Sequence, residues 1–203
     1  MANMRFNIEK IHIKGDIGNL STIITDMDRR MQELASNTEK VKSLLVKLSA
    51  FEMGEQYSKA TKAAEALSTA LFSASEDMNI AQNEIARYEN KLYRYEDLNR
   101  SAQPVRKHSV QKVNVNVDES QHRAAQEEIK LVHKELKSYC ESTLFTLKYL
   151  QQNKANIGTI WVDPQYQVFS AFIDEVINVT FKHVRMLAEY TNHLNVRIKE
   201  LFN

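Results

Sequence analysis

Residues 57–98 read YSKATKAAEALSTALFSASEDMNIAQNEIARYENKLYRYEDL, and their pattern sets the fold class. Tyr57, Ala60, Ala64, Leu67, Leu71, Ala74, Met78, Ala81, Ile85, Tyr88, Leu92 and Tyr95 recur in steps of three and four. That spacing keeps an apolar stripe on one side of an α-helix. Neither proline nor glycine interrupts it. At 1.5 Å per residue the helix would be roughly 60 Å long. A helix so long and so one-sided needs other helices to cover its stripe.

The preceding residues supply the first. Ile17, Leu20, Ile24, Met27, Met31, Leu34, Thr38, Val41, Leu45 and Leu48 repeat the spacing, with Thr38 as the one polar member. A helix from Ile17 to about Ala50 is expected, with Asp16 as its N-cap. Phe51-Glu52-Met53-Gly54 comes next, and Gly54 lets the backbone turn at little steric cost. Two long stripes joined by a short turn predict an antiparallel hairpin. Before it, Arg5 to Lys14 alternates apolar and polar residues, the mark of a short extended segment.

Residues 99–112 lose the periodicity and contain Pro104 with a small basic cluster at Arg106, Lys107, His108 and Lys112. They read as a linker, since four positive groups make a weak binding footprint. Val113 to Val117 alternates again, and Asp118 with Gln121 has capping-box spacing. A third helix carries Ile129, Val132, Leu136, Tyr139, Cys140, Thr143, Leu147 and Leu150 and should end near Gln152 and Asn153. A loop is expected over Lys154 to Val162, with Gly158 and Trp161, before Asp163 and Pro164 start a fourth helix. That helix has Phe169, Ile173, Val176, Thr180, Val184, Leu187, Tyr190, Leu194, Ile198 and Leu201, and Phe172, Val179, Phe181 and Met186 widen its face.

The two halves repeat one plan. Ile11-His12-Ile13 with Asp16 parallels Val113-Asn114-Val115 with Asp118, and Gly54-Glu55-Gln56-Tyr57 parallels Asp163-Pro164-Gln165-Tyr166. The expected fold is all-α: two antiparallel hairpins, 1–98 and 113–203, joined by 99–112 and packed as one elongated four-helix bundle.

Composition narrows the function. The net charge of +1, from 27 basic and 26 acidic residues, argues against bulk electrostatic binding to nucleic acid or anionic membrane. Met1 to Lys14 lacks the apolar core of a secretory signal peptide, and no run of about 18 apolar residues would span a membrane. The expectation is a soluble chain, with any export using a route that cleaves no signal peptide. Cys140 is the only cysteine, which leaves no intrachain disulfide and no cysteine-based zinc site.

Catalytic patterns are missing. No Glu-x-x-His pair of the diiron type occurs, nor does His-Glu-x-x-His, a Walker A loop, a dinucleotide-type glycine pattern or Gly-x-Ser-x-Gly. Glu189 and His193 are one helical turn apart and read as a surface pair. Cys140 falls within the third stripe, where a thiol packs rather than attacks. No enzyme activity, metal or cofactor is expected. Trp161 admits two readings, a staple of the helix ends or the mark of a recognition surface.

The hairpin, its aromatic turn and a tyrosine motif near the end of its second helix resemble the small Trp-x-Gly, ESAT-like proteins of type VII secretion. The turn appears as Phe51-Glu52-Met53-Gly54 in the first half and as Trp161-Val162-Asp163 in the second. Tyr93-Arg94-Tyr95-Glu96-Asp97 places Tyr93 and Asp97 at the spacing of the family's Tyr-x-x-x-Asp/Glu signal. The chain therefore looks like a tandem of two such units. It departs from the pattern in having Phe51 for tryptophan, one extra residue before Gly54, and Asp163 for the second glycine.

The resemblance implies a non-enzymatic protein exported as a folded helical bundle, found in the cytoplasm before export. Tyr93 and Asp97 would be recognised by the secretion ATPase, and Trp161, Phe51 and Gly54 would shape a composite turn surface. Related Leu-x-Gly domains target larger toxins, so a toxin or a second small helical protein is a further expected partner, and a homo- or hetero-oligomer is compatible. The alternative from the same heptads is a cytosolic coiled-coil adaptor, scaffold or chaperone-like partner of a secreted toxin.

Overall fold

A computed structural model of the chain describes residues 13–14, 16–49, 54–95 and 126–202. Four helices make up almost all of it: α1 (Ile17–Lys47), α2 (Glu55–Tyr95), α3 (Gln126–Ile160) and α4 (Pro164–Phe202). The fold is the all-α four-helix bundle that the heptads predict. The expected segments at 5–12 and Val113–Val117, the cap at Asp118 and Gln121, and the linker 99–112 lie outside the described residues.

Each helix begins or ends for a local reason. The Asp16 carboxylate accepts the Gly18 amide at 2.9 Å, which satisfies one of the free N–H groups at the start of α1. α1 stops at Lys47, slightly before the expected Ala50, where Leu48 and Ser49 donate to the carbonyls of Leu45 and Val46 in a tightened last turn. α4 starts at Pro164 behind Asp163, whose carboxylate accepts the Gln165 amide at 2.6 Å.

One boundary differs from expectation. Residues 154–160 continue α3 instead of forming a loop. Ile157, one heptad after Leu150, is fully buried, and Lys154 forms an ion pair with Asp174 of α4. A glycine inside a helix costs about 1 kcal/mol relative to alanine. Burying an isoleucine contributes about 1.5–3 kcal/mol, so Gly158 does not stop the helix.

The core is the sum of the four stripes. Leu20, Ile24, Met27, Met31, Leu67, Leu71 and Met78 of the first hairpin are at most 1% exposed, as are Leu136, Leu150, Ile173, Leu187 and Leu194 of the second. α4 is less uniformly apolar-in than its sequence suggests. Phe172 is buried and Val179 and Met186 are half-buried, but Phe181 projects into water.

α1 packs on α2 and on α3, and α4 packs on α2 and on α3, so α1 and α4 occupy one diagonal of a square and α2 and α3 the other. Each adjacent pair is antiparallel. Between α1 and α3, Thr38 meets Tyr139 and Asp26 meets Tyr149. Between α2 and α4, Tyr57 meets Tyr190, while Ala70 and Leu71 line a cleft with Val176 and Thr180. The helices therefore run up, down, down and up. Tyr95 and Gln126 lie at opposite ends of the bundle, a topology with one long crossover connection.

Two groups of interior polar side chains are matched across helices. Thr38, the single polar member of the first stripe, bonds the Leu34 carbonyl at 2.8 Å and the Tyr139 hydroxyl at 2.7 Å. Between α1 and α2, the buried Lys42 ammonium reaches Glu39 at 3.3 Å and Glu65 at 2.7 Å, and Glu39 also accepts from Ser68.

Candidate interaction site at the Trp161 end

Two turns close the hairpins, and they sit at opposite ends. The first, before α2, holds Gly54 in water, where its carbonyl accepts the Ser58 amide at 3.1 Å. Phe51 lies outside the described residues. Tyr57, in the first turn of α2, is buried, with its ring edge-on to Tyr190 at 6.2 Å. Its hydroxyl donates to the Leu45 carbonyl at 3.0 Å, in the tightened last turn of α1. Burial raises the Tyr57 pKa, which keeps the phenol protonated as a donor.

The second turn is built the same way. Tyr166, in the first turn of α4, donates its hydroxyl to the Lys154 carbonyl at 2.9 Å, twelve residues back, as Tyr57 does to Leu45. The paired motifs Gly54-Glu55-Gln56-Tyr57 and Asp163-Pro164-Gln165-Tyr166 thus carry one structural device in both halves. Gly158 leaves the room this phenol needs, because a Cβ there would stand 2.5 Å from the Tyr166 hydroxyl.

Trp161 lies directly between α3 and α4 and is fully buried. Its indole packs on Phe169 at 5.7 Å and on Tyr166 at 6.4 Å between ring centres. The backbone before α1 closes over it: Ile13 and Trp161 form an antiparallel bridge, and the Lys14 amide donates to the Ile160 carbonyl at 2.7 Å. Trp161 therefore staples α3, α4 and the approach to α1, and offers no surface of its own. This joining of Ile13 to Trp161 spans most of the chain and left no local signal in either segment.

Among the expected recognition residues, Tyr93 belongs to the last turn of α2. Its helical position is at the Trp161 end, because α2 and α4 are antiparallel and the other end of α2 holds Tyr57 beside Tyr190. Asp97 lies outside the described residues. Gly54 is at the far end of the bundle, so the two turns do not merge into one surface. Near Tyr93 on α2, Arg87, Asn90, Lys91 and Arg94 line a cleft.

The groups that could carry chemistry are dispersed. Among the described residues no three His, Cys, Asp or Glu side chains converge to hold a metal ion. Cys140 is buried, its thiol directed at the Val184 carbonyl at 3.9 Å, and burial pushes its pKa up to about 11. A thiol so protonated is a packing group rather than a nucleophile. Burial also pushes Tyr139 up to about 12, so its hydroxyl stays a neutral partner of Thr38. No helix, among the described residues, is long and apolar enough to cross a membrane.

Against known proteins, the chain matches no family model, no curated protein and no solved structure.

Proposed function

We propose that the chain is a non-enzymatic substrate or targeting partner of type VII secretion, exported as a folded bundle and recognised through the end of α2. The observation that carries this reading is the position of Tyr93. It lies in the terminal turn of a 41-residue helix, at the end of the bundle where Trp161 fixes the α3–α4 turn. A signal on a helix terminus can be read without opening the core, which suits a protein that travels folded. In this reading the secretion ATPase binds Tyr93 and Asp97, while Trp161 and Tyr166 hold the neighbouring turn in shape. A toxin or a second small helical protein is the further partner.

The test is export from a Gram-positive host with an active type VII system. The wild-type chain should appear in the medium. Tyr93→Ala/Asp97→Ala should remain in the cells with unchanged helical content and melting temperature. Equal export of the double variant would sink the reading, and wild-type protein held wholly in the cytosol would favour a coiled-coil adaptor.

A further inference from the structure

Three large apolar side chains of the second hairpin remain in water at one level of the bundle. Phe145 is 68% exposed, Phe181 52% and Leu144 45%. Contacts between α3 and α4 set that level. Cys140 meets Val184 on one side of it and Lys154 meets Asp174 on the other. Because the helices are antiparallel, Phe145 and Leu144 fall at the level of Phe181. A single exposed phenylalanine is ordinary. Three such groups together leave about 300 Å² of apolar surface, a patch size that on a monomer is often functional.

The charged positions around this patch keep the same register. On α3, Glu141 is one turn from Phe145 and Lys137 one turn further; on α4, Arg185 is one turn from Phe181 and Glu189 one turn further. All four are exposed, and all four lie on the same side of the patch; within one copy Arg185 and Glu189 share a solvent-exposed ion pair at 3.2 Å. The acidic and basic residues are interchanged between the two helices. We propose that the outer face of α3 and α4 is the interface of a homodimer, with a two-fold axis running parallel to the helices. Each α3 then lies on the α4 of the other copy.

In that arrangement Phe145 meets the partner's Phe181, Glu141 meets the partner's Arg185, and Lys137 meets the partner's Glu189, so that the charges of one copy extend the Arg185–Glu189 ion pair of the other. The two-fold axis makes every one of these contacts twice. It is this self-complementarity that selects a second copy over an unrelated helix. The face is also large enough. Two helices about 50 Å long and about 10 Å apart present on the order of 1,000 Å². A standard interface needs about 800 Å² from each partner.

Sedimentation equilibrium on the full chain tests the proposal. The mass should rise from 23.5 kDa towards twice that value as concentration increases. Phe145→Asp and Phe181→Asp should each weaken the dimer at least about tenfold, because a charge would be desolvated in the apolar centre. Both should leave the circular dichroism and the melting of the monomer unchanged, since neither side chain is in the core. Glu141→Lys should also weaken the dimer, and adding Arg185→Glu should restore it. A wild-type chain that stays at 23.5 kDa up to about millimolar concentration overturns the proposal, as does a dimer indifferent to both aspartate variants. Failure of the charge exchange to rescue would overturn the α3-on-α4 arrangement.

Discussion

Gly158 shows how one residue can look like a chain break and act as a seat. By composition it marks a loop, but it lies within α3 because Tyr166 occupies the space where a side chain would go. Gly158→Ala would ordinarily stabilise a helix by about 1 kcal/mol. Here we expect a loss of about 1–2 kcal/mol, because the new methyl displaces a phenol held by the Lys154 carbonyl and packed on Trp161. In a Tyr166→Ala background the same substitution should become stabilising by about 1 kcal/mol. Urea unfolding of the four proteins of this cycle gives the sign directly. Thr38 carries a similar lesson. It interrupts an otherwise apolar stripe, and its explanation, Tyr139, is 101 positions away.

Among elements, the pairing of α1 with α2 is fixed by charge as well as by apolar contact. Lys42 is 4% exposed and lies between Glu39, also buried, and Glu65, whose carboxylate remains largely in water. Removing one partner from a buried ion pair leaves the other without compensation, at a cost of about 3–5 kcal/mol. Water around Glu65 screens part of this, so Lys42→Ala should lose about 3 kcal/mol in denaturant unfolding. Replacing Glu39 and Lys42 together by Leu and Met should cost less than Lys42→Ala alone. If the double variant is the less stable, the two charges do not act as a pair. The stripes on α1 and α2 were legible because apolar spacing is local, whereas the meeting of Lys42 with Glu65 depends on how the hairpin closes.

For the whole molecule, the decisive feature is that the hairpins join through two long seams, α1 with α3 and α2 with α4. Fragments 1–98 and 113–203, produced together without residues 99–112, should assemble as a one-to-one helical complex by light scattering. Each fragment alone should melt without cooperativity, because its inner seam would be left in water. Two fragments that each fold cooperatively and ignore one another would show that the hairpins are independent domains. Residue order alone specifies the four helices and the Asp16 and Asp163 caps, which depend on spacing and residue type within a few turns of chain, but it sets the loop before α4 at Lys154, where α3 continues to Ile160. It also carries Tyr93, Asp97, Trp161, Phe51 and Gly54 as recognition candidates on resemblance alone. The folded arrangement was needed to establish that the helices run up, down, down and up, that Trp161 is sealed beneath Ile13, that Gly54 and Trp161 occupy opposite ends, and that Phe181 faces water. Periodicity fixes which side of a helix is apolar. Which neighbour covers that side depends on contacts a hundred residues apart, whose energies are expressed only when the chain has closed.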